Sequence, residues 1–209
     1  MRKIIVFIFC VLIFLCSCSE TGKSAEDWIS KAHLLWDGKQ YTEPNKAIEY
    51  LNNAIKLQPN NAETYNQRGV AYKNLGQNQR AIEDYNEAIR LKPDNVLAYY
   101  NRGTVYNNIG QYQNAIEDYN KVLRLDQNSI IAYNSRGINY SSLHQYQRAI
   151  EDYNKAIHLQ PNYADAYNNR GLAYLKQDND KSGCRDLQKA CKLGVCKALE
   201  LAKNKGLCR

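Results

Sequence analysis

The stretch Ala81-Ile82-Glu83-Asp84-Tyr85-Asn86 recurs unchanged at 115–120 and at 149–154, so both intervals are 34 residues. A fixed period of this size marks one supersecondary unit copied in tandem, and 34 residues suits two short helices joined by a turn. Units of this kind cannot bury their apolar faces alone. They stack into a solenoid whose working surface is an extended groove, which moves the functional expectation from catalysis towards binding.

Working outward with Ala62 as the first position, three full units run 62–95, 96–129 and 130–163. A fourth starts at Ala164, and its second half diverges after Asp178. An earlier unit over 25–61 carries three extra residues around Tyr41 and Pro44. Ser24-Ala25-Glu26-Asp27 forms a capping box that predicts the first helix start. The first half of each later unit repeats Tyr-x2-Arg-Gly-x2-Tyr, from Tyr65, Arg68, Gly69 and Tyr72 to Tyr167, Arg170, Gly171 and Tyr174. Pro59, Pro93 and Pro161 close three units, because proline cannot continue a helix. Gln127 stands in that place at the remaining boundary, which predicts a less sharply terminated junction there.

These recurring small and large positions resemble the tetratricopeptide repeat family, over residues 25–193. The resemblance implies an all-α fold, an α-α superhelix of about five helix–turn–helix repeats. Gly69, Gly103, Gly137 and Gly171 are then expected at close helix crossings, with Ala81, Ala115 and Ala149 facing them. Of 17 tyrosines, 13 fall at four repeat positions, so packing rather than an aromatic ligand box accounts for them. Glu83-Asp84, Glu117-Asp118 and Glu151-Asp152 look like paired carboxylates, but adjacent helical residues do not face each other. They read as solvated faces, without acid–base work.

In this family the first helix of each repeat lines the concave face. The resemblance places Asn66, Gln67, Lys73 and Asn74, then Tyr100, Asn101, Asn107 and Asn108, in the groove. The later units supply Asn134, Ser135, Ser141, Asn168 and Asn169. Asparagine offers both donor and acceptor, so such a ladder suits the backbone of an extended peptide. An asparagine-rich solvated surface is the alternative. The lysines with which family members clamp an acidic peptide terminus are largely missing: the fifth position is Asn66, Tyr100, Asn134 and Asn168. Tyr100 is expected to be the aromatic anchor.

The ends of the chain bear on location. Met1-Arg2-Lys3 precedes an apolar run from Ile4 to Leu15, the pattern of a secretory signal and short for a membrane span. Leu15-Cys16-Ser17-Cys18 resembles the lipobox of bacterial lipoproteins, which implies a signal over 1–17 and lipidation of Cys18. By that analogy Ser19 favours the periplasmic face of the outer membrane over the inner membrane, with a short tether over 18–24. Cys184, Cys191, Cys196 and Cys208 remain, clustered at the C-terminus of an exported chain, and read as a disulfide staple. Their spacing lacks the Cys-x2-Cys pairs of structural zinc sites. Helical spacing through Leu187, Ala190 and Leu193, a stop at Gly194 and a further apolar pattern predict a capping helix over 194–209, folded back antiparallel. That geometry suits nested bonds, Cys191–Cys196 inside Cys184–Cys208.

The formal charge of +7 is spread over the units and thickens only near the C-terminus. No motif supports nucleic-acid binding, and no residues suggest a catalytic constellation, a metal or a cofactor. The expectation is a lipid-anchored cell-envelope scaffold that binds another protein or an extended peptide. A non-catalytic subunit of a cell-wall enzyme complex and a structural spacer are the alternatives.

Overall fold

The computed structural model describes residues 22–208. The expected signal and the expected lipidation site, Cys18, therefore lie outside the described residues. Within them the chain forms five helical hairpins and a cap: α1 (Ala25–His33) with α2 (Pro44–Leu57), α3 (Ala62–Asn74) with α4 (Asn78–Leu91), and α5 (Val96–Asn108) with α6 (Tyr112–Leu125). They are followed by α7 (Ile130–Ser142) with α8 (Tyr146–Leu159), α9 (Ala164–Leu175) with α10 (Asp180–Lys192), and the cap α11 (Lys197–Asn204). None of these helices is long and apolar enough to cross a membrane. Each second helix packs on the next hairpin, and α3, α5, α7 and α9 also touch in succession, which puts the first helices on the inner side of the stack.

The period is written into the turns. Gly76, Gly110, His144 and Asp178, each 34 residues after the last, all adopt positive φ between α-helices of one hairpin. The left-handed conformation favours glycine, yet the turn holds it at two non-glycine positions as well. Ser24 accepts from Asp27 N while Asp27 accepts from Ser24 N, so the expected capping box opens α1. The junction with Gln127 is as sharp as the others. Asp126 ends α6 at φ −135° and its side chain accepts from Asn128 N at 3.0 Å, an Asx turn that does the work of the missing proline.

Two packing expectations need correction. The glycines do meet close neighbours, but those facing Gly69, Gly103 and Gly137 are tyrosine rings, and at Gly171 they are Leu187 and the Gly183 carbonyl. A Cβ added to Gly69 or Gly137 would lie 2.7 Å from Tyr85 or 2.6 Å from Tyr153, and at Gly103 it would crowd Tyr119. Ala81, Ala115 and Ala149 are buried nearby without being the facing group. The buried rings of Tyr85 and Tyr153 also pack against Val105 and Ala173 of the following hairpins, so one side chain serves both interfaces. Burial pushes the phenols of Tyr119 and Tyr153 up to about 12.

The second correction concerns the aspartates. Glu83, Glu117 and Glu151 are exposed as expected, whereas Asp84, Asp118 and Asp152 are buried. Each binds an arginine through both oxygens: Arg136 Nε and Nη2 donate to Asp152 at 2.8 and 2.6 Å. Arg68–Asp84, Arg102–Asp118 and Arg170–Asp186 repeat the arrangement. The third arginine nitrogen reaches the preceding hairpin, where Asn52, Asn86, Asn120 and Asn154 accept in turn. One guanidinium thus ties three helices, with a geometry that a lysine lacks. Arg68, Arg102 and Arg136 also lie over the tyrosine rings three residues before and four after. This sandwich is the physical content of Tyr-x2-Arg-Gly-x2-Tyr.

The cap folds back as expected. Gly194, at φ +103°, ends the turn after α10. Cys191–Cys196 closes that turn and Cys184–Cys208 ties the far end. Between them Leu187, Leu199 and Ala202 are buried together, with Leu175 of α9 packed against them.

Candidate functional site

The inner face is built by contacts between the fifth position of one repeat and the sixth of the next. Asn101 Nδ2 donates to Asn66 Oδ1, and Asn169 Nδ2 to Asn134 Oδ1, both at 3.1 Å. Between these two pairs the fifth position is Tyr100, whose hydroxyl lies 3.5 Å from Ser135 Oγ. The three contacts form one ladder across α3, α5, α7 and α9. Asn66 and Asn134 are buried in it, so they floor the groove and leave contact with a ligand to their neighbours. Tyr100 is half-buried, its ring is 5.6 Å from that of Tyr119, and it packs on Val122, Leu123 and Ala132. Its ring forms part of the wall of the groove.

Two of the groove amides each keep one buried acceptor unsatisfied. Gln67 donates to Glu63 and Asn168 donates to Asn169, while Gln67 Oε1 and Asn168 Oδ1 are buried and without a partner. Thr64 Oγ1, Tyr85 OH and Asn139 Oδ1 share that condition, each on a buried residue. A buried carbonyl without a donor costs about 1–3 kcal/mol. Of the other residues placed in the groove, Asn107 and Asn108 pair with each other and Ser141 meets Tyr153 OH. Asn74 accepts from Tyr41 N at 3.0 Å, and so supports a loop instead of a ligand.

That loop is the feature the sequence reading passed over. Asp37 Oδ1 accepts from Lys39 N and Gln40 N, both at 2.8 Å, closing a tight turn at Gly38. These backbone donors, Gln40 first and then Lys39, hold the Asp37 carboxyl below the usual carboxylate range. Trp36 and Tyr41 pair across the turn, their rings edge to face at 5.2 Å. Tyr41 is buried, and its phenol is pushed up to about 12 by that burial, whereas Trp36 stays 40% exposed. Trp36, Gln67, Val70, Lys73 and Asn101 then enclose a cavity of about 600 Å3 at the N-terminal end of the groove. Burial pushes the Lys73 ammonium down. The clue in the sequence was the extra three residues with an aromatic on either side of Asp37-Gly38.

Comparison with known proteins agrees with this architecture. Family models match as TPR repeat at 43–76, 73–110 and 139–178, and as tetratricopeptide repeat at 96–129 and 164–193. Among solved structures, MamA from Desulfovibrio magneticus RS-1 is similar at 26% identity over 82% of this chain and 96% of its own, with a TM-score of 0.75. A further MamA structure is similar at 29% identity over 75% of this chain and 92% of its own, with a TM-score of 0.70. YrrB, described as a TPR protein with an unusual peptide-binding site, shares the fold at 23% identity over 92% of this chain and 97% of its own, with a TM-score of 0.73. No curated protein sequence matches the chain. Since the family models together span well over half of it, the chain belongs to the tetratricopeptide repeat family.

Proposed function

We propose that the protein is a lipid-anchored, non-catalytic scaffold of the bacterial cell envelope that holds an extended segment of another protein along its inner groove. The observation that carries the binding part is the amide ladder itself, Asn66–Asn101, Tyr100–Ser135 and Asn134–Asn169, which runs from the Trp36 cavity towards the cap with the partly exposed Gln67, Asn101 and Asn169 along it. Backbone N–H groups of an extended chain are donors that every peptide carries, so recognition through them tolerates many sequences. The bonds among Cys184, Cys191, Cys196 and Cys208 suit an oxidising compartment. The N-terminal pattern ending in Leu15-Cys16-Ser17-Cys18 supports export and acylation.

Selection of displayed peptides on the protein tests the groove. Selected peptides are expected to lose about tenfold or more in affinity on a Gln67→Ala, Asn101→Ala variant, a loss of about 1.4 kcal/mol. That variant must melt at the wild-type temperature. Affinity unchanged by the substitutions contradicts the reading. For the anchor, mass spectrometry of the mature N-terminus should find an acylated Cys18, and Cys18→Ser should release the protein from membranes. Unchanged membrane attachment overturns the lipid assignment.

A further inference from the structure

A solenoid's last repeat exposes the face on which another unit would stack. Here α11 covers only part of it, because it spans eight residues where the first helices α3, α5 and α7 span 13. It seals Leu187 and Leu199 but leaves Leu172 of α9 exposed. Leu201 and Leu207, from α11 and the segment after it, are exposed on the opposite wall. Together they line a cleft of about 470 Å3 that begins at Asn168, beside the last rung of the groove ladder. Lys176, Lys197 and Lys205 also line it, and no carboxylate does. None of the three is held in an ion pair among the described residues.

Apolar walls with an unbalanced cationic rim select for a ligand that brings leucine-like side chains and negative charge together. The position of the cleft adds a third criterion, since its occupant continues from the amide ladder at Asn168. We propose that the cleft between α9 and α11 takes an acidic, leucine-bearing segment of the bound partner, and so gives the sequence-tolerant groove a fixed end and a direction. This rests on the reading of the chain as a binding scaffold. It assigns the specificity to the cap rather than to the ladder.

The probe is a fluorescein-labelled 12-residue peptide of alternating leucine and glutamate, which in an extended form presents an apolar edge and an acidic edge. Controls replace glutamate by lysine, or leucine by serine. With the full-length protein, the leucine–glutamate peptide is expected to bind and each control to bind at least about tenfold more weakly. Lys176→Glu, Lys205→Glu should abolish that preference and its salt dependence, while peptides selected on the groove and lost on Gln67→Ala, Asn101→Ala still bind. Leu201→Asp provides a second variant whose substituted side chain is already exposed, so that folding is preserved. Failure of the leucine–glutamate peptide to bind, with groove peptides binding normally, overturns the cap proposal and leaves the scaffold reading standing. Failure of both overturns both. Binding instead to phosphatidylglycerol vesicles but not phosphatidylcholine vesicles, or self-association abolished by Leu201→Asp, assigns the cleft to a membrane surface or a second copy and likewise overturns it.

Discussion

Arg136→Met is expected to destabilise the protein by about 3–5 kcal/mol, the usual cost of stranding one partner of a buried ion pair. Asp152 is buried, and both its oxygens are held by Arg136. Burial pushes the Asp152 carboxyl up, and the hydrogen bonds and charge of Arg136 are what oppose the shift. Methionine replaces most of the volume but removes that opposition, together with the bond to Asn120 and the stacking on Tyr133 and Tyr140. Arg136→Lys should rescue little, because one ammonium cannot serve two carboxylate oxygens and a neighbouring amide together. Pairing Arg136→Met with Asp152→Leu should recover most of the loss.

The pH dependence has a definite sign. In Arg136→Met the folded Asp152 carboxyl titrates above its unfolded value, so the folded state binds the proton more readily. The deficit is therefore greatest near neutral pH and shrinks as pH falls through the raised value. Denaturant midpoints at fixed slope read both effects. A variant as stable as the wild type would mean that the arginine ladder does not set the helix register.

The second large effect is expected at the cap. Cys184–Cys208 spans 24 residues, for which loop-closure entropy gives about 3.5 kcal/mol. Cys191–Cys196 spans 5 and gives about 2 kcal/mol on the same basis. Cys184→Ser, Cys208→Ser should therefore cost more than Cys191→Ser, Cys196→Ser. The loss should be local, because a solenoid opens from its ends. Hydrogen exchange should rise in α11 and the end of α10 while α3 to α8 stay protected. Equal costs, or a loss spread evenly over all repeats, would contradict the assignment of this bond to the cap.

What the sequence made legible follows from repetition. The 34-residue period, the hairpins and the glycine positions were readable because each occurs several times in the same register. The nested disulfides were readable for a different reason, since Gly194 forces an antiparallel return and only one pairing suits it. The aspartates were misread because local rules on a helix compare residues three or four apart. The arginine partner lies 16 residues earlier, across the hairpin. A signal was nonetheless present: Arg68, Arg102, Arg136 and Arg170 keep step with Asp84, Asp118, Asp152 and Asp186, even where the last helix has diverged. Trp36 escaped because it belongs to the one loop without a copy. Tyr100 was singled out by type and repeat position, yet its contacts with Tyr119 and Ser135 are packing contacts that no single-residue reasoning reveals.

The central claim is that an extended chain lies along the inner face and bonds to the exposed amides of the ladder. A crystal structure of the protein with a selected peptide tests it most directly. The expected result is peptide backbone groups at about 2.9 Å from the side-chain amides of Gln67, Asn101 and Asn169, the range of an ordinary amide hydrogen bond, with the peptide lying along the ladder. A peptide bound on the outer helices, or in the groove without a bond to these amides, would contradict it.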